Sequence, residues 1–451
     1  MPVARFWNSA NSQPTNKVET PFANGKSTPL PESLWAAVSP PAADFPKLTE
    51  NAQCDVGIIG AGFSGLSAAL HLAAAGKTAT VLEAAQVGWG ASGRNNGLVT
   101  AGLKRDPADV VNVLGTDAGE RLIDFSSAAA GFLFELIATH DIQCDANNSG
   151  WIQVAHSRRA ARTIARRCAD WQHRGADVDM LNGSDLEQTL GTNYYHAGWI
   201  DRRGGSLNPL AYARGLARAA SAAGAVIHSE SPVLSMDRSG TDFQLRTPMG
   251  IVQCRQILIC TNAYGTLPQV RGSVAALRTA QVATRPLDDN MLAAILPGNE
   301  SASDTRRLLT SFRITADRRL IMGGASATAG DHSTSLVSHL HDAASARFGH
   351  LGKLDWEFDW SGYLALTPNH LPQISRIEDG VYAPVACNGR GIAMTSATGK
   401  VLADLCCGEA ITECPLPIVS PRRFPGHALL RPGVAVSVHI KRLLDRISRQ
   451  I

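Results

Sequence analysis

The chain has 451 residues, which exceeds one ordinary hydrophobic core, so we expect two domains, either separate or interleaved along the sequence. Hydrophobic residues make up 44% of the chain, charged residues 18%, and the net charge is +3, a balance that excludes nucleic acid or an acidic polymer as the main partner. Nine cysteines form an odd set without a C-x-x-C pair, which favours buried free thiols, and we predict no metal site.

The N-terminal part of the chain is predicted to be a leader without a targeting or spanning segment. No aliphatic run approaches the roughly 18 residues of a spanning helix, and the first residues lack the apolar core of a secretory signal. We therefore predict no transmembrane segment and a cytoplasmic location. Residues 1–49 are rich in Pro, Ser and Asn and contain Trp7 and Trp35. We predict an extended leader strapped over the body, because the tryptophans disfavour the alternative, plain disorder.

A nucleotide-binding signature lies in residues 54–83, where a short apolar run, a glycine turn, a small-residue helix and a second apolar run follow one another. The turn carries Gly60, Gly62 and Gly65, and Glu83 ends the second run 23 positions after Gly60. This strand, turn and helix with an acidic strand end predict a dinucleotide site rather than a purely structural glycine turn.

Each part of the signature has its own physical reason. Gly60 permits the tight turn, Gly62 lets the backbone approach a pyrophosphate, and Gly65 lets the helix pack closely on the strand. The helix N-terminus then faces the phosphates. Glu83 would accept hydrogen bonds from the adenosine ribose, which disfavours NADP and leaves FAD and NAD open.

A second glycine-rich run follows Glu83. It carries glycines at 88, 90, 93 and 97, which make it too flexible for a helix, and it is too polar for a central strand. Backbone pressed against a flat ligand explains such a run best. A flavin ring would lie here.

The middle of the chain alternates predicted helices and strands. Helices are expected over 106–140, 157–174 and 210–223, the second with a basic, solvated face. Strands are expected over 151–155, 225–228, 233–237, 243–247 and 251–254. A buried strand over 256–260 then returns the chain to the first sheet.

The last part of the chain repeats the order of the opening motif. A strand from 381 leads to a turn at 387–393 and a helix through 405. An amphipathic helix over 434–447 is predicted to pack at the C-terminal end, with binding to a membrane surface as the alternative.

Five segments together resemble the FAD-dependent amine and amino-acid oxidases of the D-amino-acid oxidase superfamily in order and spacing. They read GIIGAGFSGLSAALHLAAAGKTATVLEA, VGWGASGRNNG, GGSLNPLAYARGLARAA, ILICTNAYG and CNGRGIAMTSATGKVLADL. The gamma-glutamylputrescine oxidases are the most similar subgroup, because they also carry an ASGRNGG-like segment and a proline-rich leader before the nucleotide motif. The resemblance covers residues 34–446.

The resemblance implies an α/β fold in which a Rossmann-like FAD-binding domain carries an inserted α+β substrate domain built on an antiparallel sheet. The FAD-binding domain would comprise residues 50–105, 205–270 and 362–420, and the substrate domain residues 106–204 and 271–361. A tail with an amphipathic helix would occupy 421–451. FAD would be bound non-covalently, with Cys387 as the candidate for a covalent anchor.

The resemblance also implies which residues contact FAD. The loop 92–97 would line the isoalloxazine, the backbone of 389–392 would bind its pyrimidine edge, and Val233 would hold the adenine side. Arg390 would add a cation where reduced flavin is anionic; the alternative is an ion pair at a helix start. The predicted cofactor-binding residues are Gly60, Gly62, Phe63, Ser64, Gly65, Glu83, Ala84, Ser92, Gly93, Arg94, Asn95, Asn96, Gly97, Val233, Thr261, Asn262, Ala263, Gly389, Arg390, Gly391 and Ile392.

The substrate end departs from the superfamily pattern. Where amino-acid oxidases read GLRPxTPDxxPxIG, with an arginine that clamps the substrate carboxylate, this chain has Leu364. An aliphatic residue does not replace a bidentate anchor, so an amine, or an amino acid anchored elsewhere, is favoured over a simple D-amino acid.

The candidate pocket residues are Trp360, Tyr363, His370 and Arg390. Core packing is the alternative for the two aromatic residues, and simple exposure is the alternative for His370. Arg285 stands where the subgroup's ATEPL-like segment has an acidic residue. If that segment lines the substrate pocket, the reversed charge argues against a polyamine-like cation.

We therefore predict FAD-dependent oxidation of a small primary or secondary amine, or an amino-acid derivative. Hydride would pass from the α carbon of the neutral amine to the flavin, the imine would hydrolyse, and dioxygen as electron acceptor would yield hydrogen peroxide. One alternative is a dehydrogenase that passes electrons to a quinone or a carrier protein. The other is a catalytically degenerate flavoprotein, for which Asn96, Arg285 and Arg390 are signs of drift.

Overall fold

The computed structural model describes residues 21–23, 26–270, 272–325, 333–385 and 387–421. In this part of the chain the helices are α1 Leu34–Val38, α2 Phe63–Ala74, α3 Pro107–Leu114, α4 Thr116–Thr139, α5 Arg158–His173, α6 Gly183–Leu190, α7 Pro209–Ala222, α8 Asp289–Ala294, α9 Ser333–Phe348 and α10 Gly391–Cys406. The strands are β1 Phe22–Ala23, β2 Lys26–Ser27, β3 Ala52–Ile59, β4 Ala79–Leu82, β5 Leu98–Val99, β6 Trp151–Ala155, β7 Val178–Leu181, β8 Ala197–Asp201, β9 Gly205–Ser206, β10 Val226–His228, β11 Ser235–Ser239, β12 Asp242–Arg246, β13 Ile251–Ile259, β14 Ala275–Thr284, β15 Ser301–Asp304, β16 Thr310–Ile314, β17 Leu320–Ala325, β18 Trp356–Leu366, β19 Gln373–Glu378, β20 Val381–Val385 and β21 Ile418–Val419. The helix predicted over 434–447 lies outside the described residues.

The first sheet has nine strands in the order β10-β4-β3-β13-β20-β19-β21, with β12 and β11 attached beside β13. From β10 to β20 neighbouring strands are parallel. The strands predicted over 251–254 and 256–260 are one continuous strand, β13. Its first half pairs with β12 in a hairpin, and its second half continues into parallel pairing with β3 and β20. The exposed Arg255 between the two apolar runs does not interrupt it.

Helices α2, α4, α7 and α10 pack together beside this sheet in the largest apolar core. The helix predicted over 106–140 is two helices, because Gly115 adopts a φ of +80° and separates α3 from α4. By length and composition α4 is apolar enough to cross a membrane, and 44% of its most apolar 18-residue stretch is buried inside the structure. Its buried face includes Leu122 and Leu133, which belong to that core.

The second sheet has eight strands in the order β18-β14-β17-β16-β15-β6-β8-β7. Its pairs are antiparallel except for the parallel pair β15 and β6. One face packs on α6, α8 and α9 through a second apolar core. The domain boundary predicted between 361 and 362 falls inside β18, whose pairing with β14 continues to Leu366. A long strand that passes between two regions leaves no turn residues to mark a boundary.

The described part of the leader contacts the second glycine-rich run and β18 of the second sheet. Ser33 caps α1 by accepting a hydrogen bond from the Ala36 N–H (3.2 Å), and Trp35 on this helix is only 2% exposed. The Trp35 ring packs edge-on against Trp360, with ring centroids 5.9 Å apart. The Trp35 Nε1 donates to the carbonyl of Asn95 (2.8 Å), which joins the leader to the second glycine-rich run.

Candidate functional site

A cavity of about 680 Å³ joins the carboxyl edge of the first sheet to the open face of the second. Ligands of open α/β sheets bind at this edge, beyond the carboxyl ends of the strands. Gly60 and Glu83 line one end of the cavity, and Leu277 and Gln281 on β14 line the other.

The turn after β3 requires glycine at two positions. Gly60 has a φ of +104°, a conformation that residues with a side chain rarely adopt. A Cβ on Gly65 would lie 2.1 Å from the Gly60 carbonyl oxygen, so this residue lets α2 pack closely on the turn. The Ser92 hydroxyl accepts a hydrogen bond from the Phe63 N–H (3.1 Å). The second glycine-rich run therefore meets the N-terminus of α2.

Glu83 connects the two strand ends at the edge of the first sheet. Its carboxylate accepts hydrogen bonds from the N–H of Ala61 (2.8 Å) and of Ala85 (2.9 Å). Burial raises the pKa of this carboxyl group, and the backbone N–H groups oppose the shift. Each carboxylate oxygen keeps a further lone pair that can accept a ligand hydroxyl at the cavity wall.

The run 88–97 is held by contacts between side chains and backbone. The buried Arg94 guanidinium lies 4.2 Å from the centroid of the Trp89 ring, and its Nε donates to the Trp89 carbonyl (2.8 Å). Trp360 Nε1 donates to the Arg94 carbonyl (2.9 Å). Within the loop, Asn95 Oδ1 accepts from the Gly97 N–H (2.8 Å). This segment is therefore fixed by contacts within the loop and by β18 of the second sheet.

The turn before α10 brings Arg390 to the cavity. Its Nη1 donates to the Ala101 carbonyl (2.9 Å), and its guanidinium lies 4.7 Å from the centroid of the Trp151 ring. Burial, and secondarily the charge of Arg167, lower the pKa of Arg390 to about 10. Among the described residues no carboxylate pairs with it, so the alternative of an ion pair at the helix start is wrong.

Two polar side chains at the end of β13 line the cavity with unused acceptor atoms. Thr261 Oγ1 and Asn262 Oδ1 are buried and have no hydrogen-bond partner. Buried polar atoms in folded proteins are normally hydrogen-bonded. Both atoms therefore call for a ligand with donor groups.

The open face of the second sheet forms the far end of the cavity, and sequence reasoning missed it. One line of directly opposite residues crosses five strands of this sheet. It runs from Gln281 through Gly323, Ser311 and Ser303 to Gln153. All four polar residues line the cavity. A signal was present in β14, where Leu277, Thr279 and Gln281 occupy alternate positions and Ala280 and Val282 on the opposite face are buried, but strand alternation does not say which ligand the face meets.

Most of the predicted cofactor-binding residues line the cavity, and so do Tyr363 and Leu364. The predicted residues that do line it are Gly60, Gly62, Phe63, Ser64, Glu83, Ala84, Ser92, Arg94, Asn95, Asn96, Val233, Thr261, Asn262, Gly389, Arg390, Gly391 and Ile392.

Six predicted residues do not line the cavity. Gly65, Gly93 and Gly97 face protein instead, because a Cβ on each would lie 2.1, 2.3 and 2.2 Å from the carbonyl oxygens of Gly60, Gly88 and Leu207, respectively. The others are Ala263, Trp360 and His370.

Each of the last three has a place in the fold. Ala263 packs beside the Trp89 and Tyr264 rings. Trp360 is buried in the core that also holds Trp35, so its alternative of core packing is correct. His370 occupies a turn with a φ of +56°, and its N–H donates to the Thr367 carbonyl (3.2 Å).

The charge reversal at Arg285 does not concern the cavity. Its side chain is 61% exposed and forms ion pairs with Asp355 (3.2 Å) and Glu357 (3.5 Å). Arg285 directly follows β14 and lies at the surface rather than in the cavity lining, so the condition for the argument against a cationic substrate is not met.

No metal centre is present in the part of the chain that the structure describes, where no group of three or more His, Cys, Asp or Glu could hold an ion. All nine cysteines are free thiols. Cys387 lines the cavity, and burial raises the pKa of its thiol, which disfavours the reactive thiolate.

Comparisons with known proteins agree with this geometry. The family model described as FAD-dependent oxidoreductase (DAO) matches residues 55–405. Gamma-glutamylputrescine oxidoreductase of Escherichia coli is 28% identical over 420 residues, which cover 92% of this chain and 98% of that protein. The probable oxidoreductase OrdL of Haemophilus influenzae is 30% identical over 372 residues, which cover 81% of this chain and 85% of that protein.

A solved structure shares the fold. Glycine oxidase from Geobacillus kaustophilus superposes with a TM-score of 0.70 at 19% identity, over 83% of this chain and 100% of that one. The predicted superfamily, the α/β fold class, the cofactor and the enzyme class are thereby confirmed. The chain belongs to the DAO family of FAD-dependent oxidoreductases, and FAD is its cofactor.

Proposed function

We propose that this protein oxidises a small primary or secondary amine, or an amino-acid derivative, to an imine, and that dioxygen then accepts the electrons and forms hydrogen peroxide. The observation that carries the proposal is the continuous cavity between the nucleotide turn and the open face of the second sheet. The names of the relatives, gamma-glutamylputrescine oxidoreductase and glycine oxidase, support an amine or amino acid as the substrate. The cytoplasmic location stays a prediction.

The residues of the cavity fit FAD. The unpartnered acceptors on Thr261 and Asn262 and the carboxylate of Glu83 suit the hydroxyl groups of a nucleotide and a ribityl chain. The glycines at 60 and 62 leave backbone open to a pyrophosphate at the N-terminus of α2. We propose that these residues, together with 92–95, the backbone of Asn96, Val233 and 389–392, hold the cofactor.

We further propose that residues 50–105, 205–270 and 362–420 form the FAD-binding domain and that residues 106–204 and 271–361 form the substrate domain. When bound, FAD supplies the two-electron acceptor, so the chain's own residues have to bind the amine, orient it and exclude water. Leu277 and Leu364 line the far end of the cavity with apolar surface. The Arg390 guanidinium favours negative charge that develops beside it.

The described lining of the cavity offers no unpaired carboxylate and no histidine at its substrate end. Its described lining contains two carboxylates, Glu83 at the nucleotide turn and Asp304 on β15. Asp304 is already paired with Arg306 and with Arg347. We infer that the amine enters in its neutral form rather than losing a proton to the protein.

Aerobic turnover tests the identity of the electron acceptor. FAD-loaded protein is supplied with a panel of primary amines, N-methyl amino acids, cyclic imino acids and gamma-glutamyl amines, and hydrogen peroxide and oxidised product are measured together. An oxidase yields one peroxide per imine formed. Product that appears only when a quinone or a dye is added would establish the dehydrogenase alternative, and no product under any condition would establish the degenerate flavoprotein.

A further inference from the structure

Two buried side-chain amides lie next to each other at the far end of the cavity. Gln281 on β14 is 4% exposed, and its Oε1 has no hydrogen-bond partner among the described residues. Asn96, in the second glycine-rich run, is 9% exposed, and its Oδ1 also lacks a partner in this part of the chain. Both residues line the cavity. One acceptor comes from the substrate side of the site and the other from the cofactor side.

The register of the second sheet makes the two amides neighbours. Gln281 is directly opposite Gly323, and Gly323 is directly opposite Ser311. The Asn96 side chain enters at this point, because its Nδ2 donates to Ser311 Oγ (2.7 Å). A Cβ on Gly323 would lie 2.6 Å from Asn96 Nδ2, so the glycine is what allows the amide to rest on the sheet.

The spacing follows from sheet geometry. Directly opposite residues of antiparallel strands have Cβ positions about 4.5–5.5 Å apart. The Asn96 amide occupies the space above Gly323, so it lies one strand spacing from the Gln281 side chain. A single small group can therefore contact both amides.

The hydrogen bonds already made define what such a group has to supply. The Asn96 NH₂ is committed to Ser311, which leaves Oδ1 as the atom available for a ligand. A buried carbonyl oxygen without a donor is destabilising, and two of them in one cavity call for a ligand that carries two donors. A neutral primary amine has two N–H donors, whereas a secondary amine has one.

We propose that Asn96 Oδ1 and Gln281 Oε1 bind the two N–H groups of a primary amine substrate and thereby set a preference for primary over N-alkylated amines. The inference rests on the proposed function, since it names the class of amine that the same cavity takes. The two amides are specificity-determining contacts: they orient the nitrogen, and its lone pair stays unshared because both contacts are made through hydrogens.

Binding of unreactive ring compounds tests the assignment without any turnover. Aniline, phenol and fluorobenzene have similar size and no charge at neutral pH, and they offer two, one and no hydrogen-bond donors. Each is titrated into the FAD-loaded protein, and its dissociation constant is read from the shift in the visible absorbance of the flavin. We expect the wild-type protein to bind aniline roughly tenfold more tightly than fluorobenzene, with phenol between them.

Three variants locate the donor-binding atoms. Gln281→Leu and Asn96→Leu each replace an amide with an apolar group of similar volume, and each should reduce the aniline-to-fluorobenzene preference to about threefold. Thr279→Val is the matched control, because it also lines the cavity from β14 but removes no unpartnered acceptor. It should keep the tenfold preference. Gln281→Leu changes one strand residue only, so it serves as the second variant if Asn96→Leu disturbs the loop.

The outcomes separate this inference from the proposed function. Equal binding of the three compounds to the wild-type protein would overturn the inference, as would a preference that survives both amide substitutions. Both variants could instead lose FAD, while the fraction that still holds FAD keeps its preference for aniline over fluorobenzene. This result would assign the amides to the cofactor and would also overturn the inference. Failure of every amine to reduce the flavin, with the preference intact, would overturn the proposed function alone.

Discussion

Arg390 contributes positive charge to the cavity wall, and no carboxylate among the described residues pairs with it. Its guanidinium is held by the Ala101 carbonyl and the Trp151 ring, neither of which carries a charge. Burial lowers its pKa to about 10, which still leaves the side chain protonated at neutral pH. Because little water screens this charge, it favours any negative charge that forms nearby.

Replacing Arg390 with Gln should therefore lower the midpoint potential of the bound FAD. Loss of one nearby cation is expected to cost the reduced, anionic cofactor about 1.4 kcal/mol, or about 30 mV for a two-electron couple. The potential is measured by equilibration with reference dyes, and Arg390→Lys, which keeps the charge, should stay near the wild-type value. Equal potentials in the wild type and Arg390→Gln would show that the cation does not act on the flavin.

Glu83→Ala should weaken the binding of FAD about tenfold or more. The substitution removes an acceptor for the ribose and also frees the N–H groups of Ala61 and Ala85. The dissociation constant is measured by titrating the apoprotein with FAD. Glu230→Ala is the control, since it also removes a carboxylate near this edge but one that pairs with Lys47 outside the cavity. Unchanged FAD affinity in Glu83→Ala would contradict its ribose role.

The rate of FAD reduction should rise with pH. The substrate end, as far as the structure describes it, has no unpaired carboxylate or histidine. A simple aliphatic amine has a pKa of about 10, so the neutral fraction grows about tenfold per pH unit below that value. The measurement is the anaerobic rate at low amine concentration between neutral and alkaline pH. A plateau that begins near neutral pH would instead identify a protein group that deprotonates the amine.

Helix α1 contributes to the site although it belongs to the leader. Trp35 packs on Trp360 and donates a hydrogen bond to the carbonyl of Asn95, the neighbour of Asn96. Arg313 on β16 supports the same loop, since its Nε donates to the Asn96 carbonyl (2.8 Å). The leader and the second sheet thus hold one loop from two sides.

Trp35→Ala should destabilise the protein and loosen its hold on FAD. Removal of a fully buried tryptophan typically costs about 3–5 kcal/mol of unfolding free energy. Val38→Ala is the matched control on the same helix, because Val38 is 38% exposed and its substitution should change stability by less than about 0.5 kcal/mol. Urea unfolding with tryptophan and flavin fluorescence measures both effects. Coincident curves for the two variants would show that α1 does not support the loop.

The parts of the whole fold that follow local rules were predictable from the sequence. The strand β3, the glycine turn and the helix α2 are specified by glycines and apolar runs that lie within a few residues of one another. The nucleotide end of the cavity follows from these three elements. The break at Gly115 is a local effect of a glycine with positive φ, which apolar periodicity does not report. The continuity of β13 depends on its pairing with β12, β3 and β20, which periodicity does not report either.

The substrate end was less predictable because it is a surface made by several strands. Gln281, Ser311 and Asn96 are far apart in sequence and meet only through the register of the second sheet. Arg285 directly follows the strand that carries Gln281 yet lies at the surface, since this ten-residue strand is longer than the cavity it borders. Resemblance to a family identified the cofactor, but it did not distinguish these two positions.

In the proposed function, an amine bound in the cavity is oxidised by FAD bound in the same cavity. Anaerobic mixing of the FAD-loaded protein with each amine of the panel tests it most directly, with the visible absorbance of the flavin as the readout. We expect at least one primary amine to bleach the flavin completely and in proportion to its concentration. Protein that binds FAD tightly but keeps its full absorbance with every amine would contradict the account.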